Sequence, residues 1–153
     1  MLEAKDRRIL AELQRDSRLT TQELADRVGM STSATWRRVR QLEESGVIDR
    51  YAVLVNAKKA GFGLASMVHV SLARHEESNV EHFVREVRKH PEVLECFATS
   101  GEADFHLRVV VEDIESYNRF LDDFIFQIPG VSTVRSNIVL KEIKADTALP
   151  LKP

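Results

Sequence analysis

The chain is poor in several features, and each shortage removes a class of protein. It holds one cysteine, Cys96, in 153 residues. No internal disulfide can form, and the expected compartment is a reducing cytoplasm. No apolar run approaches the roughly 20 residues of a membrane span. The opening MLEAKDRRIL has no apolar stretch of the secretory-leader kind. No membrane partner is therefore expected. Phosphate-loop, dinucleotide and H-E-x-x-H fingerprints are absent. His75, His82 and His90 are spaced by seven and eight residues, about two helical turns each, not the compact spacing of a zinc site. Nothing assembles an active site, so no enzyme, no metal and no cofactor is expected. The net charge of −2 speaks against indiscriminate polyanion binding.

What is present is a globular balance, 43% hydrophobic and 30% charged, with a local charge asymmetry. Residues 1–55 hold ten Lys/Arg and nine Asp/Glu, against twelve and fifteen in the remainder. Positions 30–42 carry three arginines and no acid, the local basic stripe of a groove-reading helix. Three helices are expected here. Ile9, Leu10 and Leu13 form the stripe of the first. Thr20 with Glu23 is a capping box, Leu19 with Leu24 a hydrophobic staple, and Gly29 a left-handed stop. Ser31 caps the third helix, which turns Thr35, Val39 and Leu42 inward and ends at Gly46. So tight a link between the second and third helices predicts a helix-turn-helix. VIDRYAVLV, residues 47–55, is expected to be a strand.

The free face of the third helix then holds Ser33, Arg37, Arg40 or Gln41, and Glu44, with Ser31, Thr32 and Ser33 in its first turn. Arginine pairs bidentately with guanine and glutamine with adenine. Small hydroxyls beside free helix N–H groups suit phosphate. The plainer reading is a solvated basic helix, and the helix pair before it favours DNA. Trp36 either wedges between helices or lies on the sugar-phosphate backbone.

Residues 56–64 read as a hinge and residues 65–153 as a second domain. Its elements alternate as βαββαβ, a ferredoxin-like order. Val68, Val70 and Leu72 share one strand face. Val80, Phe83, Val84 and Val87 line a helix capped by Ser78. Tyr117, Phe120, Leu121 and Phe124 line another, spanning 113–128, and a last strand covers 131–143. A loop at Ser100–Ala103 would pair Thr99 with Asp104 and Leu94 with Val109. Leu94, Cys96, Ala98, Phe105, Leu107 and Val109 would then make one apolar face under the helices, with Cys96 a small buried hydrophobe turned away from His106. The other face (Phe97, His106, Val110) would meet a second subunit. In TSGEADF, Gly101 permits positive φ, its amides could cradle a carboxylate, and Asp104 could meet an ammonium. The plainer alternative is a simple hairpin turn.

The segments KDRRILAELQRDSRLTTQELADRVGMS, RRVRQLEESGVIDRYAVLVN, TSGEADF and IPGVSTVRSNIVLKEIK, in this order, resemble the Lrp/AsnC (feast/famine) family of prokaryotic transcription factors along nearly the whole chain. The ending KEIKADTALPL is similar to a subgroup with a lysine-rich last strand and a Leu-Pro tail. The resemblance implies an α+β protein with a winged-helix-like helix-turn-helix domain at residues 1–55. A ferredoxin-like, ACT-like (RAM) domain would sense amino acids. It implies double-stranded DNA as partner on a pseudo-palindromic operator, and a homodimer assembling towards an octamer. DNA contacts would fall on Ser31, Thr32, Ser33, Arg37, Arg38 and Gln41, with Trp36 and Arg40 beside them. Effector contacts would fall on Ser100, Gly101, Asp104 and Ser136. Ala103 stands where many members have an aromatic, and Val134 where many have a hydroxyl. The rival expectation is a stand-alone amino-acid-binding or protein-interaction module.

Overall fold

A computed structural model describes residues 2–73 and 77–152. It divides into two compact units, Met1–Leu54 with Lys144–Pro153, and Val55–Ile143. The last ten residues, expected with the second domain, thus belong to the first unit.

In the first unit, helices α1 (Ala4–Arg15), α2 (Thr21–Val28) and α3 (Thr32–Glu44) follow in close succession. Thr20 accepts the Glu23 N–H at 3.2 Å while the Glu23 carboxylate takes the Thr20 N–H at 2.8 Å. Two donors that the helix cannot use internally are satisfied together. Gly29 ends α2 at φ 67°, a left-handed position that a side chain would strain. Ser31 Oγ accepts from the Ala34 N–H, starting α3 at once. The three stripes meet in a core of Ile9, Leu10, Leu24, Val28 and Leu42, with Leu13, Leu19, Met30, Val39, Ile48 and Leu151 packed on it. Thr35 is fully buried, and its hydroxyl donates to the Ser31 carbonyl at 3.0 Å, which removes the penalty of a lone buried donor.

Residues 47–55 form no strand: 47 and 48 make a bend, and 49–55 have no regular structure. The side-chain pattern suits a sheet, yet a strand also needs a ladder partner, and among the described residues none pairs with this segment. Val53, Leu54 and Val55 stand 88%, 78% and 71% exposed in consequence.

The second unit is a four-stranded antiparallel sheet in the order β2-β3-β1-β4, with β1 at Leu64–Leu72, β2 at Val93–Ala98, β3 at Phe105–Val111 and β4 at Val131–Ile138. Helices α4 (Glu77–Val87) and α5 (Ile114–Asp123) complete the βαββαβ order. Val68, Val70, Leu72, Phe105, Leu107 and Val109 meet Phe83, Val87, Tyr117 and Phe120 in one core.

Several details depart from the sequence-based expectation. Ser78 lies inside α4 rather than capping it. The helix from residue 113 stops at Asp123 and tightens into a 3-10 turn, Ile125–Gln127. That change of winding sends the adjacent Phe124 and Ile125 both into the core, and Pro129 cannot continue a helix. The last strand ends at Ile138, five residues before Ile143. The hairpin register holds from Ala98↔Phe105 to Glu95↔Arg108, but Val93 rather than Leu94 then meets Val109 across a bulge. Leu94 is extruded and 56% exposed. Cys96 is also exposed. It shares the helix side of the sheet with Leu107, but β2 is an edge strand and the helices leave it uncovered.

Candidate nucleic-acid interface and effector turn

The outward face of α3 is continuous. Ser31, Thr32, Ser33, Trp36, Arg37, Arg40, Gln41 and Glu44 are all exposed, while Thr35 and Leu42 point inward. The 3.6-residue repeat produces this split once the inward stripe is packed. Among the described residues, the side chains of Arg37 and Gln41 make no hydrogen bond or ion pair with the rest of the chain. Their donors are open to an external acceptor. Trp36 does not wedge into the core: it is 55% exposed. The Arg40 guanidinium lies 5.6 Å from its ring centroid, within cation–π range. Arg40 also reaches Glu43 at 3.7 Å. Glu43 in turn accepts from the Tyr51 hydroxyl at 2.9 Å, and burial, then Glu43, push the Tyr51 phenol up to about 12. At the helix start, Thr32 Oγ1 donates to Gln22 Oε1 at 2.6 Å, tying α3 to α2.

Arg38 sits differently. Its guanidinium donates to Asp6 Oδ1 and Glu3 Oε2, each at 2.7 Å. Asp6 also accepts the Glu3 N–H, so the arginine closes on the cap of α1. These hydrogen bonds, to Asp6 first and Glu3 second, raise the Arg38 pKa. Two carboxylates offset its charge and occupy its fork. Arg38 is a clamp between α1 and α3, not a free cation beside Arg37. The alternation of exposed Arg37 and half-buried Arg38 follows from the helix, but its acidic partners lie 32 and 35 residues away in sequence, beyond the reach of local pattern.

The expected effector residues separate into two places. Ser100 and Ala103 line a concavity of about 620 Å³ on the sheet face opposite the helices, together with Ser71, His106, Thr133 and Arg135. That volume lies within the usual range for small-molecule sites. Gly101 holds φ 137°, a conformation glycine supplies freely. Among the described residues no acceptor takes the amides of Ser100, Gly101 and Glu102. Asp104 is committed inward: its Oδ2 accepts the Leu72 N–H at 2.7 Å, and its own N–H donates to the Val70 carbonyl. Ser136 lies on the helix side, where its Oγ accepts from the Tyr117 hydroxyl at 2.6 Å, away from the concavity. Val134 faces Val70 across the β1–β4 ladder, on the core side.

Residues the sequence reading passed over are Arg135, Thr133 and the histidine pair. Arg135 Nη1 reaches Glu102 Oε2 at 3.1 Å across the mouth of the concavity. His69 and His106 face each other in the ladder with their Nδ1 atoms 2.7 Å apart. Asn137 Nδ2 stands 3.0 Å from His69 Nε2. With the amide donating there, neutral His69 carries its proton on Nδ1 and donates to His106. Period-two alternation, Thr133–Arg135–Asn137, was the available signal. His75 lies outside the described residues, and among those described no group of three metal-ligating side chains gathers. Among them, too, no helix is long and apolar enough to cross a membrane.

Comparison with known proteins finds two matched regions. Residues 2–49 match a model described as winged helix-turn-helix DNA-binding, and residues 65–149 one described as Lrp/AsnC ligand binding domain. The leucine-responsive regulatory protein of Rhizobium meliloti is 39% identical over 143 residues, covering 94% of this chain and 92% of that protein. The DNA-binding transcriptional activator DecR of Escherichia coli K12 is 35% identical over 152 residues, 99% of this chain and 100% of that one. Among solved structures, a transcriptional regulator of Neisseria meningitidis in complex with L-Met superposes with a TM-score of 0.94 at 40% identity, covering 99% and 97% of the two chains. An exposed arginine-bearing third helix, a ferredoxin-like domain with an open glycine turn, and full-length likeness to regulators agree: the chain is a member of the Lrp/AsnC family of DNA-binding transcriptional regulators, not an enzyme.

Proposed function

We infer that this regulator reads a pseudo-palindromic operator with two copies of α3 and is switched by a free amino acid at the 100–104 turn. The observation that carries the DNA half is the outward face of α3, where Arg37 and Gln41 have no side-chain partner among the described residues. Ser31, Thr32 and Ser33 contact phosphate, Trp36 and Arg40 lie along the sugar-phosphate backbone, and Arg37 and Gln41 read base edges. Paired heads enter major grooves about 34 Å apart. The protein works in the cytoplasm as a homodimer through the open sheet face, and dimers assemble towards an octamer that holds several sites at once.

The effector's carboxylate meets the free amides around Gly101, and its ammonium meets the Asp104 carboxylate in addition to the Leu72 N–H that it already accepts. Ala103 leaves room where an aromatic would intrude. The effector shifts assembly or head geometry only through unequal affinity for two arrangements. Titration of operator duplex at several salt concentrations tests the DNA half: affinity falls steeply as salt rises, because released counterions drive phosphate contacts. A thermal-shift screen over the twenty amino acids tests the other half. L-methionine is the first probe, since a similar regulator was solved with it. A flat salt response would remove the DNA reading, and a screen with no shift would remove the effector reading.

A further inference from the structure

The tail of the chain runs back to the DNA-binding head. Gln14, exposed on α1, clamps Leu149 twice: its Nε2 donates to the Leu149 carbonyl at 3.1 Å, and its Oε1 accepts the Leu149 N–H at 2.6 Å. Arg7 Nη1 donates to the Lys152 carbonyl at 3.3 Å. Leu151 packs on the head core beside Leu2, Leu13 and Ile48. The Leu151 N–H donates to the Leu149 carbonyl at 2.8 Å, a three-residue turn about Pro150. Proline lacks an N–H and presets φ, so the tail arrives with little conformational freedom left to lose. These contacts recognise backbone atoms and one leucine, the pattern of a docked extended peptide.

The head therefore joins the second unit through two stretches of chain. One is the hinge, residues 55–63, partly wound by hydrogen bonds from Ala60 and Phe62 to Asn56 and Ala57. The other follows β4. The Val139 N–H still pairs with Ala65 and Glu142 accepts from Arg108 at 3.3 Å, while the first tail residue clamped by Gln14 is Leu149, so the free connection to the tail is residues 143–148. Six residues reach at most ~21 Å, whereas the nine of the hinge would reach ~30 Å once unwound. The connection through the tail is the shorter of the two, and it leaves the strand that carries Thr133 and Arg135 at the mouth of the effector concavity.

We propose that residues 144–152 are a strap that, by docking on Gln14, Arg7 and the head core, restrains the DNA-binding head to the end of β4. Undocking leaves the head on the longer hinge alone. Restraint by docking does not depend on an effector. Its use as the route from effector to head rests on the reading under Proposed function.

The only tryptophan, Trp36, lies in the head, so its time-resolved fluorescence anisotropy in the full chain reports head motion on the nanosecond scale. Two full-length variants are compared with the parent: Leu151→Asp, which places a charge against the head core, and Gln14→Ala, which removes both clamp bonds from an exposed position. Protease cleavage within 144–152 reports whether the tail is docked. In both variants cleavage accelerates, about tenfold or more if docking held the tail closed, and the fast component of the Trp36 decay grows at least about twofold in amplitude. Tail cleavage as slow as in the parent in both variants overturns the docking. Faster cleavage with an unchanged Trp36 decay overturns the restraint. If Leu151→Asp unfolds the head, Gln14→Ala decides alone. Failure of the effector screen leaves both readouts standing, so the two ideas fall separately.

Discussion

The outward face of α3 and the turn at 100–104 were both picked out for polar groups in suggestive order, but the fold treats them differently. On α3, Arg37 and Gln41 keep their donors free among the described residues, while neighbouring Arg38 is consumed by Asp6 and Glu3. At the turn, the charged group is the one consumed: Asp104 holds the Leu72 N–H, and the open positions are backbone amides beside Gly101. A side chain's fitness for an external partner depends on what it already holds. That ledger is set by residues far away in sequence.

The largest effect is expected at Arg37. Arg37→Ala removes a free donor fork and touches nothing in the core. Operator affinity falls by roughly ten- to a hundredfold, the ~1–3 kcal/mol of a bidentate base contact, while the melting temperature stays within about a degree. Duplex titration beside a melting curve checks this. Equal loss in both measurements would mean that Arg37 is a second clamp, and the contrast within α3 would disappear.

Arg38→Ala should behave in the opposite way. The pair is partly buried, with Arg38 24% and Asp6 14% exposed, so breaking it costs less than a fully buried ion pair, about 1–2 kcal/mol. Stability and DNA affinity fall together, because the helix that carries Arg37 loses its tie to α1. Arg38→Lys recovers only part of this, since an ammonium cannot reach two carboxylates with a fixed fork. Chemical denaturation of both variants separates the outcomes. An Arg38→Ala chain of full stability with weakened DNA binding would return Arg38 to the contact face.

These contrasts also mark how far the sequence could be read. Helices α1 to α3, the capping box and the βαββαβ order were legible, because periodicity and caps are local signals. The hairpin register was legible from Ala98 to Glu95, because a slip would move every apolar side chain to the wrong face. It failed at Leu94, where a bulge admits one extra residue without disturbing the rest. Cys96 failed for another reason: an apolar pattern shows which side of the sheet a residue takes, not whether the strand lies at an edge. The segment 47–55 has strand composition without a strand partner, and pattern alone does not supply one. At the site, exposure of Arg37 could be derived from the stripe of Thr35, Val39 and Leu42. The capture of Arg38, the inward turn of Asp104 and the bond between Ser136 and Tyr117 all required the fold.

The turn can be tested by a substitution that separates its two roles. Asp104→Asn keeps an oxygen for the Leu72 N–H but drops the charge, whereas Asp104→Ala drops both. If the carboxylate serves the effector's ammonium, Asn abolishes the thermal shift from a binding amino acid while the Leu72 N–H keeps its acceptor. Ala additionally destabilises the domain by about 1–2 kcal/mol, the cost of an unsatisfied N–H. If Asn retains the shift, Asp104 is purely structural, and the free amides remain as the anchor.

The smallest effect concerns acid, and it extends the comparison to carboxylates that serve caps. The Thr20 N–H, then its hydroxyl, hold the Glu23 carboxyl below its ordinary 4.5, and the Ser116 N–H does the same for Asp113 below 3.8. A carboxylate with a lowered pKa contributes stability that is present above its unfolded pKa and is lost as pH falls through the folded one. Both groups are exposed, so each contribution is small and screened by salt. Glu23→Gln can still accept the Thr20 N–H but cannot titrate. Its melting temperature should therefore show a shallower decline below about pH 4.5 than the parent's, with the two curves parallel at neutral pH. Coincident acid limbs would mean that the capping box on α2 gives no charge-dependent support to the helix that precedes the DNA-reading one.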